Sequence, residues 1–341
     1  VKKVKVEDAV GMVLAHDLTR IVPGEYKGPA FKKGHVIKEE DIPLLKSMGK
    51  NHIYILEMNP NLLHENEAAE RIARAAAGPN IILSEPAEGK INFIAARAGL
   101  LKINLKLLEK INAIDMVILA TLHNHTPVKE GQIVAGTRVI PLVIEKEKIE
   151  QVEKYCAIDS PLIWIEELKS LKIGIVVTGT EVYEGRIEDR FGPVLAAKVQ
   201  NYGSNLLATC YAPDNVEMIK DKIKELIDQG AELIMTSGGM SVDADDVTPT
   251  AIREIADEVI TYGSPVLPGA MFMLAYKGDI PVLGVPACGM FYRITVLDLV
   301  LPRILAGEKL QRADLVKLAH GGMCWGCPTC HYPVCPFGKQ G

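Results

Sequence analysis

The chain contains no hydrophobic run that reaches the roughly 18 residues a membrane-spanning helix requires. Its longest apolar stretches, DMVILATL from Asp115 and KIGIVVTG from Lys172, stop well short of that. Positive charge is not in excess either: 38 Lys and Arg stand against 43 Asp and Glu, a net charge of −5, which argues against a nucleic-acid partner for the chain as a whole. Missing too is an N-terminal segment that joins a basic end to an apolar centre and a small-residue cleavage site, so the expected location is the cytoplasm, with no membrane partner. Cysteine is sparse over most of the chain. Cys156, Cys210 and Cys288 are isolated, and each reads as a small buried hydrophobe. The other four, Cys324, Cys327, Cys330 and Cys335, crowd into the last residues.

What is present is enough apolar material for a globular protein, 48% of the chain, spread over 341 residues that exceed one ordinary core. Residues 1–57 are dense in strand and turn signals and read as a small β-rich module. Within it, HVIKEEDIPLLKSMGKNHIYIL predicts a strand, a short helix entered at Glu40 or Asp41, a stop at Gly49, and a strand. Residues 58–168 alternate strand and helix signals and read as an α/β middle domain without a chemical signature. The triplet His123-Asn124-His125 follows a strand and reads as a loop. Residues 169–310 alternate strands and helices regularly, which predicts an α/β domain with a doubly wound, mostly parallel sheet. Residues 311–341 form the cysteine-rich tail.

In open sheets of this kind ligands sit at the carboxyl ends of the strands. Three loops fall on that rim. The first strand ends in Thr178-Gly179-Thr180-Glu181, where backbone amides and two hydroxyls suit an oxyanion. The second ends in YAPDN. There Asp214, three residues before Glu217, reads either as a plain helix N-cap or as a carboxylate placed to hold Mg²⁺ beside phosphate. The third, AELIM, runs into TSGGMSVDADDVTP. Two adjacent glycines admit backbone N–H groups close to a ligand oxygen, while Asp243, Asp245 and Asp246 repel an anion unless a cation sits among them. The stretch asks for a phosphate and a metal together. Thr248 and Pro249 then read as the cap and first position of a helix.

VVTGTE, GRIED, YAPD and ELIMTSGGMSVDADDVTP together resemble the molybdenum-cofactor biosynthesis domain shared by molybdopterin adenylyltransferase, molybdopterin molybdenumtransferase and the activity domains of gephyrin. The resemblance covers about Lys172 to Gly307. It implies a molybdopterin-binding fold, with Asp214 and Asp246 handling phosphate chemistry through Mg²⁺. Ser237, Gly238, Gly239, Met240 and Ser241 would cradle the ligand, and Thr178, Gly179, Thr180 and Glu181 would line the other wall. The stretch SPVLPGAMFMLAYKGDIPVLGVPACG resembles the molybdenum-inserting branch and adds Pro286 to the site, although Pro286-Ala287-Cys288-Gly289 stands where that branch commonly has Pro-Gly-Asn-Pro. EDAVGMVLAHDLT near the N-terminus is similar to the opening of the same branch. The expected activity is insertion of molybdate into adenylated molybdopterin with release of AMP. Adenylation of molybdopterin by ATP is the alternative enzyme, and a non-catalytic carrier or sensor is the alternative from another class. The expected partners are molybdopterin or its adenylated form, molybdate, a second copy of the chain, and a molybdoenzyme or another cofactor-assembly protein.

The tail spells Cys-x2-Cys-x2-Cys-x4-Cys from Cys324 to Cys335, with His320 and His331 nearby. Thiolates at such intervals can close on one Zn²⁺ or on an iron–sulfur cluster.

Overall fold

The computed structural model describes residues 1–22, 26–55, 59–87, 89–140, 142–159 and 161–339. The boundary expected at 57/58 lies outside them. The chain folds into two compact units: Val1–Arg97, Ile103–Leu122 and Lys129–Ile165 form one, and Ala98–Lys102, His123–Val128 and Glu166–Gly341 the other.

In the first unit the N-terminal strand Lys2–Lys5 pairs antiparallel with His52–Ile55, and Leu18–Val22 pairs with Tyr26–Phe31. Val6, Leu14, Phe31, Ile37, Leu45 and Ile53 make a small core of their own. The short helix runs Ile42–Ser47, entered through a tight turn at Glu39–Asp41 that the Asp41 carboxylate caps by accepting from the Lys38 amide. Beyond it, four strands at 81–83, 90–95, 117–121 and 133–139 form an antiparallel sheet. The helix Glu65–Ala76 buries Ala69, Ile72, Ala73 and Ala76, the helical stripe its sequence displays. The four strands of this middle-region sheet are therefore paired antiparallel.

The second unit is built on one mixed sheet. Its strands are β1 (Lys172–Thr178), β2 (Asn205–Ala212), β3 (Leu233–Ser237), β4 (Glu258–Tyr262), β5 (Met273–Lys277) and β6 (Ile280–Val285), in the order β2-β1-β3-β6-β5-β4. The first four in that order are parallel, and β5 and β4 close the edge antiparallel. β1, β3 and β6 are buried on both faces because helices cover both. Ile173, Ile175, Val177, Leu233 and Met235 pack with α1 (Phe191–Asn201) and α4 (Val296–Leu305). Val176 and Ile234 point the other way, onto α2 (Val216–Asp228) and α3 (Thr248–Ile255). The strand period of two thus feeds two cores from one run of residues. Among the described residues no helix is long and apolar enough to cross a membrane.

A partly buried charge cluster lies within this second unit. Lys102 Nζ donates to Glu308 Oε1 at 2.6 Å and lies 3.0 Å from His125 Nε2. Arg303 forks onto Glu308 and reaches Asp314. His125 therefore sits in a structural network, at φ 59°. Burial, with Arg303 and Lys102 adding repulsion, pushes its pKa down from 6.5 to about 3. The unfolded chain then binds a proton near pH 6.5 that the folded chain refuses, so stability falls as pH drops from 6.5 towards 3. Burial works against ionisation of Glu308, yet the hydrogen bonds from Arg303 and Lys102 hold its carboxyl below the usual range, so acid weakens that contact as well. We expect His125→Asn, which tolerates this backbone conformation, to flatten the decline in unfolding free energy between pH 6.5 and 4 by up to about 1.4 kcal/mol per pH unit. Urea unfolding at stepped pH measures it, and an unchanged slope refutes the assignment.

Candidate functional site

The rim is held together by a knot of polar contacts at the ends of β1 and β3. Thr178 is buried, and its hydroxyl donates to the Ser237 carbonyl at 3.1 Å and pairs with the Thr248 hydroxyl at 2.9 Å. This commitment ties β1, β3 and the start of α3 together. Thr248 correspondingly uses its hydroxyl on Thr178, and the residue preceding α3 is Val247. Glu181 lies exposed in a single helical turn, Thr180–Tyr183.

Asp214 is not the cap of α2. Asn215 caps it, its side chain accepting from the Met218 amide at 3.1 Å. Asp214 reaches instead to the first rim loop, where one carboxylate oxygen accepts from the Thr180 amide at 2.9 Å and the Thr180 hydroxyl at 3.0 Å. Its other oxygen faces Gly239: a Cβ built there would come within 3.6 Å of it. Asp214 thus joins the first loop to the glycine pair, a role for which the sequence carries no spacing signal because 34 residues separate the partners.

The glycines are required by geometry. Gly238 has φ 92°, and a Cβ on it would penetrate the Thr178 carbonyl oxygen; Gly239 has φ 52°, and a Cβ on it would press on the Thr248 hydroxyl. From this corner the chain turns into a cavity of about 390 Å³, a size suited to a small-molecule ligand. Gly238, Gly239, Met240, Ser241, Asp243 and Asp246 form one side, Leu267 to Met271 and Pro286 to Cys288 the others. Among the residues assigned from sequence, the structure brings Gly238, Gly239, Met240, Ser241, Asp246 and Pro286 to one cavity. Thr178, Gly179, Thr180, Glu181, Asp214 and Ser237 are not among its lining residues. Met240 is largely core: its thioether packs over Gly284. Ser237 is fully buried, and among the described residues its Oγ has no hydrogen-bond partner. Such an orphan costs about 1–3 kcal/mol unless something satisfies it.

Asp246 is positioned by a reciprocal turn. One of its carboxylate oxygens accepts from the Asp243 amide at 3.0 Å, and its own amide donates to the Asp243 carbonyl at 3.0 Å. Sequence reading missed Tyr262 at the end of β4. Its hydroxyl lies 2.9 Å from the Met240 carbonyl and 3.1 Å from the Ser241 carbonyl, and the Arg253 guanidinium stacks over its ring at 5.2 Å. No local pattern marks it, since its partners lie 22 and 21 residues away. We expect Tyr262→Phe to cost roughly 1 kcal/mol of stability and to weaken ligand retention by a larger factor than it lowers turnover, because it frees the loop without touching Asp246. Equal losses in binding and turnover would refute a positioning role.

The four tail cysteines line a different cavity, and among the described residues no three His, Cys, Asp or Glu side chains are gathered at metal-ligating distance.

Fold and rim together define an α/β domain with a cavity beyond the carboxyl ends of its parallel strands. Residues 174–306 match a family described as a probable molybdopterin binding domain, so the chain carries a domain of the molybdenum-cofactor biosynthesis family. Residues 3–57 match a second family, described only as a domain of unknown function. A CinA-like protein of Mycobacterium avium is 43% identical over 97 residues, which make up 28% of this chain and 22% of that protein. A CinA-like protein of Mycobacterium tuberculosis is 40% identical over 79 residues, 23% of this chain and 18% of the relative. The chain thus spans about a fifth of the length of these curated relatives. Among solved structures, a molybdopterin biosynthesis enzyme MoaB from Thermus thermophilus is 22% identical, covering 40% of this chain and 98% of its own, with a TM-score of 0.35. The protein CinA from Thermoplasma acidophilum, of unknown function, is 12% identical, covering 35% of this chain and 90% of its own, with a TM-score of 0.32.

Proposed function

We propose that this chain is an enzyme of molybdenum-cofactor assembly that binds adenylated molybdopterin and inserts molybdate into it, with release of AMP. One observation carries the reading. Every residue that lines the glycine-pair cavity falls inside the segment matching the molybdopterin-binding family. The cavity also meets the demands of such a substrate: a backbone corner with no Cβ, the Ser241 hydroxyl, and a carboxylate at its edge.

In this reading the amides around Gly238 and Gly239 hold a phosphate oxygen of the substrate, and Asp214 keeps the first rim loop drawn against that corner. Asp246 would hold Mg²⁺. The Asp243 amide engages one of its oxygens, and among the described residues no hydrogen bond engages the other. Mg²⁺ takes only one or two protein carboxylates and fills its remaining positions with water and phosphate oxygens, so a site without three clustered ligands fits it. An ion held there by Asp246 would supply charge neutralisation for the phosphate oxygens of the substrate. Excluding water from the corner falls to Pro268, Pro286 and the Met240 loop.

The test is to incubate the purified protein with Mg²⁺, molybdate and adenylated molybdopterin, following AMP release and pterin-bound molybdenum. Molybdate-dependent AMP release is the expected outcome. Pterin retained without AMP release favours a carrier or sensor, and consumption of ATP with unmodified molybdopterin favours the adenylating step.

A further inference from the structure

We propose that Cys324, Cys327, Cys330 and Cys335 form a site for one thiophilic divalent metal ion of the zinc class, seated beside the glycine-pair cavity. The inference stands apart from the proposed reaction, because metal stoichiometry can be read whatever that reaction is.

The cysteine segment is a loop pinned at its base. The Gly338 amide donates to the Gly321 carbonyl at 2.9 Å, and Phe337 is buried in the core of the second unit. The Leu267 amide donates to the Gly322 carbonyl and the Cys324 amide to the Leu267 carbonyl, each at 2.8 Å. Tyr332 donates its hydroxyl to the Asp298 carbonyl at 3.2 Å. Between these anchors the four cysteines all line one cavity of about 620 Å³. Cys324 and Cys335 are packed against the core at its base, and Cys327 is exposed.

Within the loop's own backbone, among the described residues, order comes from a single turn, in which the Val334 amide donates to the His331 carbonyl at 2.7 Å. Among the described residues, no backbone amide from 325 to 333 donates to a backbone carbonyl. A segment with so little secondary structure gains order from a metal staple. The same lack makes ligation inexpensive: the sulfurs are not gathered at ligating distance, and drawing Cys327 and Cys330 towards Cys324 and Cys335 breaks no ladder of hydrogen bonds. The intervals of two, two and four residues let each thiolate turn back to a common ion. Four thiolates on a divalent ion leave two negative charges, and two cations stand near to offset them. Arg293 lines the cavity, and the Lys339 ammonium lies 5.9 Å from the centre of the Tyr332 ring, which also lines it.

Position gives the site its consequence. Leu267 is bridged to Met323 and lines the glycine-pair cavity, and the turn that places Ala287 and Cys288 in that cavity runs on through Phe291 to Ile294 in the metal cavity. An ion at the four sulfurs would brace two walls of the neighbouring site.

The experiment uses the full chain, purified under reducing conditions, loaded with Zn²⁺ and desalted. Metal content is measured by mass spectrometry, thiol reactivity with Ellman's reagent, and coordination by Co²⁺ titration. The expected result is one Zn²⁺ per chain, four thiols protected until a chelator is added, and Co²⁺ spectra with intense bands typical of tetrahedral thiolate. The variant Cys327→Ser with Cys330→Ser, at the loop tip away from the core, should keep its far-ultraviolet circular dichroism and lose at least tenfold in retained metal. Substoichiometric metal with freely reactive thiols, disulfides in place of metal, or bound iron with sulfide would each overturn the proposal.

Discussion

Asp246→Asn should abolish AMP release, by two orders of magnitude or more, while leaving the protein folded and still able to retain the pterin. The substitution is conservative in shape: an amide oxygen can still accept from the Asp243 amide at the 3.0 Å now spanned by the carboxylate. What disappears is the negative charge at the cavity edge. If that charge holds Mg²⁺ against the substrate phosphates, several kcal/mol of charge stabilisation are lost with it, and each 1.4 kcal/mol is about tenfold in rate. Asp214→Asn provides the contrast. Asp214 is not a lining residue of the cavity, and one of its oxygens is committed to Thr180. Its amide variant should therefore lose less turnover, with part of the loss recovered at saturating substrate. Measured together, the two variants distinguish a metal-holding carboxylate from a loop-holding one. Equal, modest losses would remove Asp246 from the chemistry.

Gly238→Ala should be the most destabilising single substitution on the rim, on the order of 3 kcal/mol or more. Its φ of 92° is outside what L side chains comfortably adopt, and the added methyl would collide with the carbonyl oxygen of Thr178. That oxygen belongs to the end of β1 in the middle of the sheet, so relief would require moving a strand flanked on both sides by parallel neighbours. Gly239→Ala separates folding from binding. At φ 52° a residue other than glycine is tolerated at a cost of roughly 1–2 kcal/mol, and the nearest obstacle is the Thr248 hydroxyl at 2.8 Å, a side-chain atom. This variant should melt closer to the parent while losing most of its ligand retention, because its methyl would stand next to Asp214 and fill the corner proposed for the phosphate. Thermal unfolding and pterin retention on both variants decide the matter. A Gly238→Ala protein as stable as the parent would mean that the strand ends are not packed as described.

The sequence by itself determined the elements of the second unit. Apolar runs of strand length alternate with helical stripes, Gly203 and Gly230 follow α1 and α2, and the Thr178 and Gly238 loops fall at strand ends, because periodicity and turn chemistry are local properties. It also marked out the four tail cysteines, whose spacing is itself the signal. Tertiary structure alone decided which of these residues meet. Sheet order sets β3 beside β1 and β6, so the glycine pair faces Pro268 and Pro286 across a cavity, while Thr178 and Asp214 are drawn into hydrogen bonds that hold the rim in place. Tyr262 enters because β4 returns at the far edge of the sheet, and Asn215, one residue beyond the expected Asp214, caps α2. Antiparallel pairing in the middle region was equally out of reach, since alternation of strands and helices does not encode strand direction. A hydrogen bond between partners tens of residues apart leaves no period in the chain; it exists only once the sheet has set their distance.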